Sequence, residues 1–312
     1  MKKRILAVLI ATALAVSVTG CAGNATSSSD STSASSVAES SDTSTQTSAD
    51  ASSEDESKDE SSQEESKDLE ANYTKYTLDG DLTQHMIDMS RLNEGNKVRL
   101  ANVIKKLKNG EEVTVGFIGG SITQGTSAGN DLCYAKLTAD WLQQTYSNAK
   151  INYVNAGIGA TGSYIGVHRV ENDLLSKKPD LVFVEFSVND TTENTERNKK
   201  SYDGLLRTIW KSSTNPAIIT IATTQEDGTS FQDQHAEIVK HYDLPMISYR
   251  NTVLDTIKHG DIVWKDISDD NIHPNVPGHK IVSQLLQAYI SDVDKDVDNI
   301  SGSESDFTTP AT

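Results

Sequence analysis

The chain has 312 residues and a formal net charge of −17, from 45 acidic residues against 28 lysines and arginines. The acid is concentrated at the ends: residues 24–70 hold 13 acidic and 2 basic residues, 291–312 hold 6 and 1, and 71–290 sit near neutrality at −4. A body without a basic stripe argues against nucleic acid as a partner, and two cysteines are too few for a disulfide framework or a Cys-based metal site.

The first 21 residues, "MKKRILAVLIATALAVSVTGC", have a basic start (Lys2, Lys3, Arg4) and an apolar run from Ile5 to Val18. The run is short and no stop-transfer pattern follows, so 1–20 read as a secretory signal and not as a spanning helix. Val18-Thr19-Gly20-Cys21 resembles the lipobox of bacterial lipoproteins, which implies cleavage before Cys21 and lipidation of its sulfur. Residues 24–70 are nearly all Ser, Thr, Ala, Asp and Glu, with no aromatic residue. Such a segment cannot bury enough apolar surface to offset its ordering entropy, so 21–70 are expected to be a disordered tether. With Cys21 lipidated, Cys133 has no partner and reads as a small buried residue.

Residues 71–290 suit one domain. Short β-rich runs are expected as strands at Val113–Ile118, Ile151–Asn155, Leu181–Ser187, Ala217–Ala222 and Pro245–Tyr249. Their continuous apolar character suits a sheet covered on both faces. Helical patterns lie between them at Lys97–Lys108, Tyr134–Tyr146, Tyr164–Ser176, Tyr202–Lys211 and Gln232–Tyr242, and a last helix follows at Gly278–Ile290. The alternation predicts an α/β fold: a three-layer α/β/α sandwich around a mostly parallel, about five-stranded flavodoxin-like sheet. The acidic residues 291–312 are expected to be a disordered tail.

In open α/β sheets ligands sit at the carboxyl ends of the strands. The first strand ends in "GFIGGSITQG", where glycines bracket Ser121. Backbone N–H groups there favour a developing negative charge, so Ser121 is a candidate nucleophile; by itself it reads equally well as a helix cap. A phosphate-binding loop would need a Lys that "GGSITQG" lacks. The second strand ends in "NAGIGATGSY", whose Gly157-Ile158-Gly159-Ala160-Thr161-Gly162 spells the dinucleotide fingerprint G-x-G-x-x-G. That fingerprint normally opens the fold, and an exported chain meets little free nicotinamide cofactor. The third strand ends in "FSVND", placing Asn189 where a side-chain amide can donate to an oxyanion or simply cap a turn. In "SDDNIHPNVPGH", Asp270 lies three residues before His273, close enough for its carboxylate to fix the imidazole tautomer; the alternative is an Asx turn capping the last helix. His85, His168, His235, His241 and His259 have no special neighbour pattern and read as solvated or structural.

In order, "GGSIT", "NAGIGATG", "SVND" and "DNIHP" resemble the four blocks of the SGNH (GDSL-type) hydrolase superfamily, from Gly119 to Pro274. The resemblance implies an SGNH hydrolase fold and a serine esterase that needs no cofactor or metal. It implies Ser121 as nucleophile, His273 as general base and acid, and Asp270 as its partner. It gives the oxyanion hole to the Ser121 N–H, the Asn189 amide and a backbone N–H of the second block. There the usual Gly falls on Ala160, beside Gly159, and both N–H groups stay open as candidates. Gly120 likewise stands where the family has Asp. The variant is similar to that of bacterial glycan esterases, which implies a surface-tethered esterase taking small acyl groups, acetyl first, from acetylated polysaccharide or oligosaccharide. The membrane is met only through the lipid anchor. A lysophospholipase or thioesterase of the same superfamily, and a catalytically silent glycan-binding lipoprotein, are the alternatives. Tyr164 and Trp264 could stack on a sugar or pack in the core.

Overall fold

The computed structural model describes residues 73–191 and 194–312. The expected signal, Cys21 and the tether lie outside the described residues. Six strands form one sheet: β1 (Arg91–Asn93), β2 (Glu112–Gly119), β3 (Lys150–Gly157), β4 (Leu181–Glu185), β5 (Ala217–Ala222) and β6 (Met246–Ser248). Their order across the sheet is β1-β6-β5-β4-β2-β3. All pairings are parallel except β1 with β6. Five of the strands are those the sequence predicts. The sixth, β1, has only three residues, too few to show an alternation.

Strand periodicity divides the core into two layers. Val182 and Val184 of β4 face one side, with Ile118 and Ile218. Leu181 and Phe183 face the other, with Val115, Phe117 and Ile219. Over the second face pack α2 (Val98–Lys108), α4 (Tyr134–Thr145), α8 (Tyr249–Lys258) and α10 (Val276–Lys295). Over the first pack α5 (Ser163–Asp173), α6 (Thr195–Trp210) and α7 (Gln232–His241). Helix α2 buries Leu100, Val103, Ile104 and Leu107 at helical spacing. The remaining helices are short: α1 (Gln84–Ser90), α3 (Ser121–Gln124) and α9 (Trp264–Ile267). Helix α6 begins about two turns before the expected Tyr202, because the Asn194 side chain accepts the Arg197 N–H and caps it.

The C-terminal segment corrects the sequence expectation of a disordered tail at 291–312. Helix α10 runs on to Lys295, burying Val293, and Val297 is buried beyond it. Phe307, 4 % exposed, stacks on Trp210 and Tyr242 with ring centroids 4.4 and 3.9 Å apart. Glu304 pairs with Arg99 at 2.7 Å, and Arg99 lies over the Trp210 ring. The abundant acid in this stretch obscures two isolated apolar anchors, and isolated anchors have no periodicity to read.

The chain order places a topological switch at β2. From β2 it passes to β3 on one side, then crosses to β4 on the other. The crevice at the carboxyl ends of β2, β3 and β4 is where such sheets bind ligands.

Candidate active site

Ser121 is separated from the end of β2 by Gly120 alone and is the first residue of α3. His273 Nε2 lies 2.9 Å from Ser121 Oγ, and His273 Nδ1 lies 2.8 Å from Asp270 Oδ2. The three side chains thus form one hydrogen-bonded line from an exposed carboxylate to a nearly buried hydroxyl. Ser121 is 9 % exposed, and the Asp270 side chain is 48 % exposed. Asp270 also accepts the backbone N–H groups of Ile272 and His273 on Oδ1. Its partial burial works to raise its pKa, but the bonds from the His273 side chain and from the two backbone N–H groups outweigh that and hold it below the usual carboxylate value.

The loop carrying this pair is braced from beneath. Ser268 Oγ donates toward the carbonyls of Asp270 and His273, and the Trp264 Nε1–H donates to the Asp270 carbonyl at 2.7 Å. Trp264 is buried. It positions the His loop and is not presented to a sugar, whereas Tyr164 is 42 % exposed and lines an open groove with Val167, His168 and Arg197.

Asn189 opens the turn after β4. Its amide packs against Gly120 so closely that a Cβ there would stand 1.9 Å from Asn189 Oδ1. The departure from Gly-Asp-Ser at position 120 therefore makes room for Asn189 beside Ser121.

In the second block, the glycines of G-x-G-x-x-G stand close against protein atoms. A Cβ on Gly157 would lie 2.3 Å from the Gln124 nitrogen, and one on Gly162 would lie 2.4 Å from Asp190 Oδ1. The Gly159 N–H is donated to Gln124 Oε1 at 2.8 Å. Ala160 has φ +56°, the left-handed region that an L side chain adopts at a cost of about 1 kcal/mol.

Sequence reasoning missed several residues that build the site. Arg169 of α5 donates to the carbonyls of Ala156 and Gly119, joining the ends of β3 and β2. Asp190, next to Asn189, is fully buried; it accepts the Ser163 N–H at 2.8 Å and pairs with His235 Nε2 at 2.9 Å. His235 is stacked on Tyr202, 3.6 Å between centroids. Glu185, at the end of β4, is buried against Thr223, Ser187 and Thr123, and burial pushes its pKa up from 4.5 to about 7 against the opposing Thr223 and Ser187 hydrogen bonds. His279, in the first turn of α10, accepts the Tyr134 N–H at 3.1 Å, and burial lowers its pKa from 6.5 to about 4. Tyr134 in turn shares a hydrogen bond with Thr123, two residues past Ser121. Most of these roles have no local sequence signal, since the partners, Ser187 beside Glu185 apart, lie at least ten residues away along the chain.

A fold with a Ser–His–Asp line at the switch point of a parallel sheet belongs to the hydrolases of this architecture. Residues 117–281 match the GDSL-like lipase/acylhydrolase family, and the chain belongs to that family. Two crystal structures of a two-domain esterase active on acetylated mannans are similar to it. One, co-crystallised with mannopentaose, is 37 % identical with TM-score 0.67, covering 72 % of this chain and 60 % of the other. The second is 38 % identical with TM-score 0.69, covering 72 % and 61 %. The chain therefore spans about three fifths of that esterase. A protein of GDSL-like lipase type from Parabacteroides merdae, 19 % identical with TM-score 0.50 and covering 58 % of this chain and 96 % of its own, shares the fold. No curated protein matches.

Proposed function

We propose that the chain is a serine esterase removing acetyl groups from carbohydrate, with Ser121 as nucleophile. The observation that carries the mechanism is the pair of distances, 2.9 Å from Ser121 Oγ to His273 Nε2 and 2.8 Å from His273 Nδ1 to Asp270. In this mechanism His273 Nε2 takes the Ser121 proton as Oγ attacks the ester carbonyl carbon. The oxyanion is stabilised by the Ser121 N–H, the Asn189 amide and one N–H of the second block. Because Gln124 already accepts from Gly159, Ala160 is put forward as that donor. Collapse of the tetrahedral intermediate breaks the bond to the sugar oxygen, which leaves with the proton from His273. Water then releases acetate by the same route.

The similarity to a two-domain esterase active on acetylated mannans supports an acetylated polysaccharide or oligosaccharide as substrate. The solvent-facing Tyr164 supplies a surface on which a sugar ring can stack. We further propose that Cys21 carries a lipid that holds the domain at the bacterial cell surface. The full chain and Ser121→Ala should be compared on aryl acetate, on longer acyl esters, and on acetylated mannan and xylan. Acetate release by the wild type alone is the expected result. Equal rates for the two proteins on every ester would overturn the proposal. Radiolabelled fatty acid incorporation that survives Cys21→Ser would overturn the anchor.

A further inference from the structure

A second cluster of titratable side chains stands apart from the Ser121 hydrogen-bond set. Asp255 and His259 are one helical turn apart at the end of α8; His259 keeps helical backbone angles at the C-cap, so both point to one face. His85 comes from α1, which packs on α8 through a hydrogen bond from Thr252 Oγ1 to the Met86 carbonyl at 3.1 Å. Asp255 Oδ2 lies 2.6 Å from His85 Nε2 and 3.3 Å from His259 Nδ1, which also lies 2.9 Å from the Asp255 carbonyl oxygen, a contact that a metal-bound Nδ1 would give up. One ligand atom from each of the three falls within 4.8 Å of the others.

From this geometry we propose that His85, Asp255 and His259 form a site for a divalent transition-metal ion of the zinc type. Two imidazoles and one carboxylate are a nitrogen-rich set, which suits Zn²⁺ and not the all-oxygen preference of Ca²⁺ or Mg²⁺. Three donors about 2.0–2.1 Å from a tetrahedral ion stand about 3.3 Å apart, so side-chain adjustments on the order of 1 Å bring the cluster to coordination distance. The cluster is screened from solvent. The three side chains are 3 %, 12 % and 17 % exposed. Tyr73 stacks on His259 with centroids 3.9 Å apart and meets the His85 ring edge-on, while its hydroxyl bonds Asp261, which also accepts the Tyr76 N–H. A metal here joins α1, α8 and the segment from Tyr73 to Tyr76. Its role is to clamp these elements; no residue of the cluster belongs to the Ser121–His273–Asp270 line.

The test uses the full chain, stripped with chelator and dialysed, and Zn²⁺ alone as probe, with Ca²⁺ as control. Calorimetry should show one equivalent of Zn²⁺ bound, and thermal unfolding should move to higher temperature with Zn²⁺ but not with Ca²⁺. Asp255→Asn and His259→Gln should each weaken uptake by at least about tenfold while the circular dichroism of the folded chain is kept. His259 sits at a partly exposed helix end, so its variant tests the site even where Asp255→Asn does not fold. Aryl acetate hydrolysis should be the same before and after chelation, which separates this site from the proposed esterase. No Zn²⁺ uptake by the wild type, uptake undiminished in His259→Gln, or an equal response to Ca²⁺ would each overturn the proposal and leave a hydrogen-bonded brace.

Discussion

Two aspartate–histidine pairs in this molecule have nearly the same pairing distance, one through Nδ1 and one through Nε2, and opposite surroundings. Asp270 and His273 meet at 2.8 Å, Asp190 and His235 at 2.9 Å. The first carboxylate is half in solvent, and the far nitrogen of its imidazole meets a serine hydroxyl. The second pair is sealed: His235 is 0 % exposed, stacked on Tyr202 and met edge-on by Phe231, and its carboxylate is spent on the start of α5. Pairing distance therefore does not distinguish the imidazole of the proposed catalytic line from the sealed one. What distinguishes them is the third partner and access for a substrate.

Substitutions should break this comparison in opposite directions. His273→Ala is expected to lower kcat on aryl acetate by about 10⁴-fold or more, while stability moves by less than about 1 kcal/mol. His235→Ala should do the reverse. It leaves Asp190 buried without its partner and should cost about 3–5 kcal/mol in urea unfolding, with kcat per folded molecule changing only a few-fold. If His235→Ala abolishes turnover in a fully folded protein, the division between the two pairs is wrong. Asn189, next to Asp190 in the chain and packed against Gly120 beside Ser121, should behave as a reaction residue: Asn189→Ala is expected to lose about 100- to 1000-fold in kcat with KM little changed.

The buried carboxyl and imidazole beneath the nucleophile turn sharpen the comparison through pH. Glu185 has its pKa raised from 4.5 to about 7, so its contribution to stability falls as pH climbs through that window. His279 has its pKa lowered from 6.5 to about 4, so its contribution is lost as pH falls through that window. Each displacement is worth about 3 kcal/mol, and between pH 4.5 and 6.5 the two slopes oppose. Glu185→Gln removes one of them. Its unfolding free energy should therefore rise by up to about 3 kcal/mol from pH 4 to 6.5, where the wild type is flatter. Urea melts across that range decide it, and equal slopes in both proteins would contradict the assignment. The smallest effect belongs to Ala160→Gly. It relieves a left-handed alanine at φ +56° but loosens the unfolded chain, so stability should change by less than about 1 kcal/mol and activity should persist, since the N–H remains.

The strand–helix alternation, five of six strands, and the placement of Ser121 and Asn189 at strand ends and of Asp270 and His273 in the loop before the last helix were legible because each depends on a local pattern. Apolar runs mark the strands, and small residues mark the turns. The residues that position the site were not legible. Asp190 finds His235, Glu185 finds Thr223, and Trp264 finds the Asp270 carbonyl only after the chain has folded. The left-handed backbone at Ala160 was hidden for a different reason, since alanine carries no signature of positive φ. Phe307 and Val297 were hidden by the acid around them. His85, Asp255 and His259 had no shared motif because one of the three comes from a helix far upstream.

The three-residue strand β1 bears on how the chain reaches this state. Asn93 donates to the Leu244 carbonyl, 151 positions away, and Arg91 stands opposite Ile247. Pairings of such high contact order close late, because the loop entropy must be met before the pairing returns anything. Until residues near 248 have emerged, β6 does not exist and β5 ends the sheet with an open edge. That edge is a template for wrong partners; β6 covers it, and the short antiparallel β1 in turn covers the outer edge of β6. Synthesis from the N-terminus thus leaves the first strand without its partner until the last has been made.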